Sequence, residues 1–218
     1  MIVAGGSGSR MKAKIPKQFL LLGDRPLLMQ TISVFRNFDP QITIIVVLPA
    51  DHISNWKKLQ EQYNFDVSHQ IVIGGNTRYD SVKNGLDKIP NTGIVAIHDG
   101  ARPLVSADIL DRTFSSASNE GNGIAAVPLK DSLRVLDGES NSAMDREHFR
   151  IIQTPQAFQT DLIKAAYKNV TGSSFTDDAS VAEANGAKIH LVTGSYDNIK
   201  ITSPEDLILA NTLFAQKG

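Results

Sequence analysis

Runs of four to seven mostly apolar residues alternate along the chain with stretches in which apolar positions recur every three or four residues. Ile42 to Leu48 reads as a buried strand. Gln70 to Ile73, Gly93 to Ile97, Gly123 to Val127, Ile189 to Val192 and Ile199 to Ile201 read the same way. Continuously apolar strands of this length suit a parallel sheet covered on both faces. Between them, Pro26 to Phe38 sets Leu27, Leu28, Thr31, Ile32 and Phe35 on one stripe, and Arg78 to Ile89 does so with Val82, Leu86 and Ile89. Ser106 to Ser118, Thr160 to Asn169 and Asp178 to Asn185 are further helices. The last helix has the most explicit start: Ser203 as N-cap, Pro204 at the first helical position, then Glu205 and Asp206. This alternation predicts an α/β fold, a mostly parallel twisted sheet with right-handed crossovers and helices on both faces.

Residues 129–149 break the rhythm. They carry Asp-Ser and Asp-Gly turn signals, a short alternating run from Ser132 to Leu136, and a polar segment to Asp145. The segment is expected either to project as a β-hairpin arm or to form a surface loop. Otherwise residues 1–218 read as a single domain without repeats or linkers. The first strand is short, since only Met1, Ile2, Val3 and Ala4 precede a run of glycines.

Composition narrows the function. Apolar residues are 41% of the 218 and charged residues 21%, enough for a packed core and against general disorder. The net charge of −1 argues against a general nucleic-acid binder. The absence of cysteine excludes disulfides, thiolate metal sites and a cysteine nucleophile. No apolar run approaches the ~18 residues of a membrane span, and no signal-peptide pattern opens the chain. A soluble, cytoplasmic protein is expected.

Against this neutral background, positive charge is concentrated at one place. Gly5-Gly-Ser-Gly-Ser-Arg-Met11 follows the first strand, and Gly5, Gly6 and Gly8 free backbone amides to turn inward as an anion nest. Arg10, Lys12, Lys14 and Lys17 crowd the same segment, and the first carboxylate is Asp24. In open α/β sheets the carboxyl end of the strands is where ligands bind. Met11 stands where a dinucleotide fingerprint needs its third glycine, and no Gly-Lys-Ser/Thr follows, so neither that motif nor a Walker loop is present.

The segment Ala4 to Met11 with Ile15-Pro-Lys-Gln-Phe19 resembles the signature of nucleotidyltransferases that activate sugar or polyol phosphates. Four later blocks occur in matching order: Gly74-Gly-Asn-Thr-Arg-Tyr-Asp-Ser81, His98-Asp-Gly-Ala-Arg-Pro103, Thr154-Pro-Gln-Ala-Phe158 with Thr176-Asp-Asp-Ala-Ser180, and Asp197-Asn-Ile-Lys-Ile-Thr202. Together they are similar to the 2-C-methyl-D-erythritol 4-phosphate cytidylyltransferase family over essentially the whole chain. The resemblance implies a Rossmann-like nucleotidyltransferase fold in which a polyol phosphate attacks the α-phosphorus of CTP and pyrophosphate leaves.

It also implies roles. Arg10, Lys17 and Lys200 would stabilise the triphosphate in the transition state. Ala4, Gly5, Gly6, Gly8, Gly75, Ser81 and Asp99 would hold the nucleotide. Asp99, Arg102, Arg146, Thr154 and Thr176 would hold the polyol phosphate, with Arg102 bracing the loop through a carboxylate and Arg146 reaching a neighbour's site from the arm of a homodimer. Mg²⁺ is expected through the CTP phosphates, with no protein carboxylate cage. His98 is read as packed, because a phosphate nucleophile is already ionised and needs no base. Arg78 is read as an orienting residue. Asn76, Gly100 and Ser9 depart from the residues frequent at those places. A sister family, the ribitol-5-phosphate cytidylyltransferases, and a non-catalytic nucleotide-binding subunit are the alternatives.

Overall fold

The computed structural model describes residues 1–5, 15–170 and 175–216. Its centre is a seven-stranded sheet. β1 (Ile2–Val3) pairs in parallel with β4 (Ile45–Leu48) on one side and β6 (Ile94–Asp99) on the other. β5 (Gln70–Ile73) extends the sheet beyond β4, again in parallel. On the other flank β10 (Arg150–Gln159) runs antiparallel between β6 and β7 (Asn122–Pro128), and β11 (Leu191–Thr193) closes the edge parallel to β7. The spatial order is β11-β7-β10-β6-β1-β4-β5. Two short strands, β2 (Leu21–Leu22) and β3 (Arg25–Pro26), form a separate hairpin. β8 (Leu133–Asp137) and β9 (Ser140–Met144) form another.

Period-two alternation sorts the strands onto two helical layers. Val3, Ile45, Val47, Val72, Ile97 and Phe158 pack on α3 (Arg78–Leu86), α5 (Thr160–Asn169) and α6 (Asp178–Ala184). Ile2, Ala4, Val46 and Leu48 face α1 (Leu27–Phe38), α2 (Ala50–Gln62) and α4 (Ala107–Glu120). The last helix, α7 (Pro204–Ala215), is capped by Ser203 and Asp206 in a reciprocal capping box. It packs with Leu22, Leu27, Leu104 and Ile201 in a smaller cluster. Among the described residues no helix is long and apolar enough to cross a membrane.

Three elements differ from the sequence pattern. Ile199 to Ile201 forms no strand: Ile201 makes a single backbone bond, to Ala101 O (2.9 Å), and buries its side chain in the α7 cluster. Its apolar run serves packing and not a ladder. α2 is absent from the pattern because it presents only Trp56 fully to the core. β10 is absent because polar Gln153, Thr154 and Gln156 and a proline interrupt it. Pro155 is tolerated there because the ladder to β7 shifts register between Ile152 and Gln156, so its missing N–H breaks no bond. Between 129 and 149 a hairpin forms, β8 and β9 pairing only with each other and exposing Val135, Leu136 and Met144.

Trp56 ties α2 to the segment that leads into the site. Its ring stacks on Phe19 at 6.1 Å, and its indole N–H donates to His69 Nε2 (3.0 Å). Phe19 closes the 3₁₀ turn Lys17–Phe19. Trp56→Ala is expected to cost about 3–5 kcal/mol, read as a lowered urea midpoint with unchanged slope.

Candidate active site

The chain runs β1, β4, β5 to one side of β1 and then returns to place β6 on the other. The carboxyl ends of β1 and β6 therefore flank a crevice at a topological switch point, the place where open α/β sheets bind ligands. β6 ends on Asp99, a carboxylate buried at the floor of that crevice. Lys200 Nζ lies 2.9 Å from Asp99 Oδ2, Arg102 Nε lies 3.3 Å from the same oxygen, and Arg78 Nε lies 3.9 Å from Oδ1. Burial alone would raise the Asp99 pKa. The ammonium of Lys200 and the guanidiniums of Arg78 and Arg102 outweigh it and hold the carboxyl well below the usual range. Arg102 is pulled the other way, burial lowering its pKa against the opposing pull of Asp99.

Arg78 opens α3 and reaches a second carboxylate. It makes a fork of two hydrogen bonds to the fully buried Asp178, 2.9 and 2.6 Å, and Tyr167 OH donates to the same group (2.7 Å). Burial works against the guanidinium, but Asp178 more than compensates and raises its pKa further. Arg78 thereby locks α3 to α6. Gln156 holds the start of α6 as well, its Oε1 accepting from the N–H groups of Asp178 (3.0 Å) and Ala179 (2.8 Å).

Two cavities meet at this charge cluster. The first, about 350 Å³, is lined by Ala4 and Gly5 from the end of β1, Lys17 and Gln18 from the 3₁₀ turn, Gly75 to Arg78 and Ser81 at the start of α3, and Asp99 and Lys200. Gly75 must be glycine, since a Cβ there would sit 2.2 Å from that of Asp80. Ser81 fixes the turn, its hydroxyl accepting from Gly75 N (3.1 Å) and donating to Thr77 O (2.9 Å). Lys17 Nζ donates to Ile201 O (3.4 Å). Lys17, Arg78 and Lys200 face Asp99 as the single carboxylate on the described wall, a surplus of positive charge suited to a polyanion. The second cavity, about 240 Å³, is lined by Arg102, Gln153, Thr154, Gln156, Thr176 and Asp177. Arg78, Asp99 and Lys200 belong to both walls.

The structure thus brings Ala4, Gly5, Lys17, Gly75, Ser81, Asp99, Arg102, Thr154, Thr176 and Lys200 to one crevice. Gly6, Gly8 and Arg10 lie outside the described residues, as do Ser9, Lys12 and Lys14. Arg146 lines neither cavity: it is exposed on the turn after β9 and donates to Lys130 O. His98 is fully buried against Phe35, its Nε2–H donating to Arg102 O (2.9 Å). Burial lowers its pKa to about 4. The sequence pattern marks no role for Gln18, Gln153 or Asn198: each lies inside or beside one of the motifs, but an amide carries no signature of the carbonyl it will meet. Gln18 Nε2 donates to Ala4 O (3.1 Å), pinning the end of β1.

Residues 1–216 match the family model described as 2-C-methyl-D-erythritol 4-phosphate cytidylyltransferase, IspD. The enzyme of that name from Bacteroides fragilis is 44% identical over 213 residues, covering 98% of this chain and 97% of that protein. The one from Porphyromonas gingivalis is 45% identical over 215 residues, covering 98% and 96%. Among solved structures, 4-diphosphocytidyl-2C-methyl-D-erythritol synthase from Anaerococcus prevotii superposes with a TM-score of 0.84 at 31% identity, covering 98% of this chain and 94% of that one. The Thermus thermophilus 2-C-methyl-D-erythritol 4-phosphate cytidylyltransferase gives 0.78 at 32%, covering 97% and 96%.

The buried His98 makes stability depend on pH. Its pKa falls from 6.5 in the open chain to about 4 in the fold, so between those values the unfolded chain binds the extra proton and stability drops as pH falls. Unfolding free energies measured from pH 7 to 4 should decline more steeply for the natural chain than for His98→Asn, the difference reaching roughly 3 kcal/mol at the acid end.

Proposed function

The chain belongs to the 2-C-methyl-D-erythritol 4-phosphate cytidylyltransferase family, and we infer that its two joined cavities carry that transfer. CTP and 2-C-methyl-D-erythritol 4-phosphate give the CDP-alcohol and pyrophosphate, a step in isoprenoid precursor biosynthesis. The observation that carries the assignment of substrates to cavities is the shared wall: Arg78, Asp99 and Lys200 stand between the two spaces and line both.

CTP occupies the first cavity, with the cytidine against Ala4, Gly5, Gly75 and Ser81, where small residues allow close approach; Gly6 and Gly8 are assigned to the same nucleotide by their motif alone. The polyol phosphate occupies the second, its hydroxyl and phosphate groups meeting Asp99, Arg102, Thr154 and Thr176. A phosphate oxygen of the acceptor attacks the α-phosphorus in line. The bond to the bridging oxygen breaks, and pyrophosphate leaves with the electron pair. Two anions must approach each other, so the chemistry is largely neutralisation and alignment. Lys200 faces the junction of the two cavities, where charge builds on the five-coordinate phosphorus, and Lys17 with Arg10 holds the triphosphate from the nucleotide side. Asp99 aims Lys200, whose Nζ it holds at 2.9 Å.

Among the described residues no group of three or more histidine or acidic side chains could cage a metal. A Mg²⁺ ion would be carried by the triphosphate, with Asp99 the wall carboxylate that would help hold it; when bound it would supply further neutralisation of the phosphate oxygens. The exposed β8–β9 hairpin and Arg146 beyond it fit an arm exchanged within a cytoplasmic homodimer, Arg146 completing the partner's phosphate site.

Pyrophosphate release from CTP and Mg²⁺ tests the assignment, with methylerythritol phosphate and ribitol-5-phosphate as parallel acceptors. Turnover with the first alone is expected, and turnover with the second alone would overturn the acceptor. Lys17→Ala and Lys200→Ala should each lower kcat at least about 100-fold, with a smaller change in the KM for CTP. Arg146→Ala should raise the KM for the polyol phosphate roughly 10-fold or more while leaving that for CTP unchanged. An effect confined to CTP would remove Arg146 from the acceptor site.

A further inference from the structure

The loop that carries Lys200 is suspended from β10 by side-chain amides. Gln153 presents both ends of its amide to Ser195, donating to its carbonyl (2.8 Å) and accepting from its N–H (3.3 Å), as a neighbouring strand would. Gly194 makes the approach possible, since a Cβ there would lie 2.4 Å from Gln153 Oε1. Asn198 is fully buried. Its Nδ2 donates to Thr154 O (2.8 Å) and to Gln153 Oε1 (3.3 Å), while its backbone carbonyl accepts from Arg102 Nη1 (2.8 Å).

These contacts close a ring. Thr154 Oγ1 accepts from Asp99 N–H (3.0 Å), Asp99 Oδ2 pairs with Lys200 Nζ (2.9 Å), and two residues of chain lead from Lys200 back to Asn198 on Thr154. Thr154 lines the second cavity and Lys200 lines both. A buried amide is an expensive group unless it is bonded, and Asn198 Oδ1 finds no partner among the described residues. An apolar side chain of similar size would fill the space without that cost, so packing alone does not account for asparagine here.

We propose that Asn198 is a positioning residue for the transfer: through its bond to the Thr154 carbonyl it sets the place of Lys200 at the junction of the two cavities. This rests on the reading of Lys200 as the group that stabilises the transferring phosphorus. Asn198 lines neither cavity and acts through Lys200.

The test is a double-mutant cycle on the full chain, with steady-state kinetics in both substrates and unfolding curves as a fold control. Asn198→Ala should lower kcat at least about tenfold with the KM for CTP within twofold, the pattern of a contact that matters in the transition state. In the Lys200→Ala background the same change should cost nothing more. Asn198→Asp, which keeps the shape but loses Nδ2 donation, should reproduce the kcat loss and serves if the alanine variant does not fold. Additive losses in the double variant, or a folded Asn198 variant with kcat within twofold of the natural chain, would overturn the proposal and leave the Lys200 reading intact. A Lys200→Ala enzyme as fast as the natural chain would overturn both.

Discussion

A buried carboxylate at the end of β6 is the charge around which the crevice is arranged. Asp99 faces Lys200, Arg102 and Arg78, which arrive from the segment after β11, from the turn after β6 and from the start of α3. Three cations at such close quarters would repel one another and would be costly to remove from water alone. Asp99 among them, with Asp178 on the far side of Arg78, lowers both costs, and the three cations in turn favour the ionised form of Asp99. The arrangement is mutually enforcing. It gathers distant parts of the chain around one point and leaves a net positive wall for phosphate groups.

The sheet explains why this point is where it is. The chain takes β4 and β5 to one side of β1 and β6 to the other, so the residues that follow β5 and β6 flank a crevice at the carboxyl end of β1. Antiparallel β10 then brings Gln153 and Thr154 alongside β6, and its register shift turns Thr154 Oγ1 onto the N–H of Asp99. Gln156, further along the same strand, caps α6, and Asp178 within α6 returns to Arg78. One irregular strand therefore supports both the Thr154 side of the crevice and the helix that fixes its far wall. Trp56 does the equivalent beneath the first cavity, through Phe19 and the turn bearing Lys17.

Most of the parallel half of the fold was legible because its strands are continuously apolar and its helices carry a broad stripe. β10 and α2 were not. Their polar residues, Gln153, Thr154 and Gln156 in one and the long charged run around Trp56 in the other, are paired or solvated in ways that local periodicity does not register. Ile199 to Ile201 departs from its pattern for the opposite reason: an apolar triplet looks the same whether it joins a ladder or fills a gap beneath a helix. Lys200 had no local mark of function, since an isolated lysine between two isoleucines reads as solvated. Only its motif singled it out, and only the fold placed its Nζ against Asp99.

The sequence by itself determined the α/β class, the capped last helix and the family, because each of these is written in short blocks of residues close together along the chain. The tertiary structure decided which charges meet. Asp99 and Lys200 are separated by a hundred residues of sequence and by 2.9 Å in space. Their pairing, the division into two cavities with a common wall, and the amides that hang the Lys200 loop from β10 all depend on strand order and register. Those follow from burying the two faces of the sheet together, a property of the whole chain that no local pattern contains.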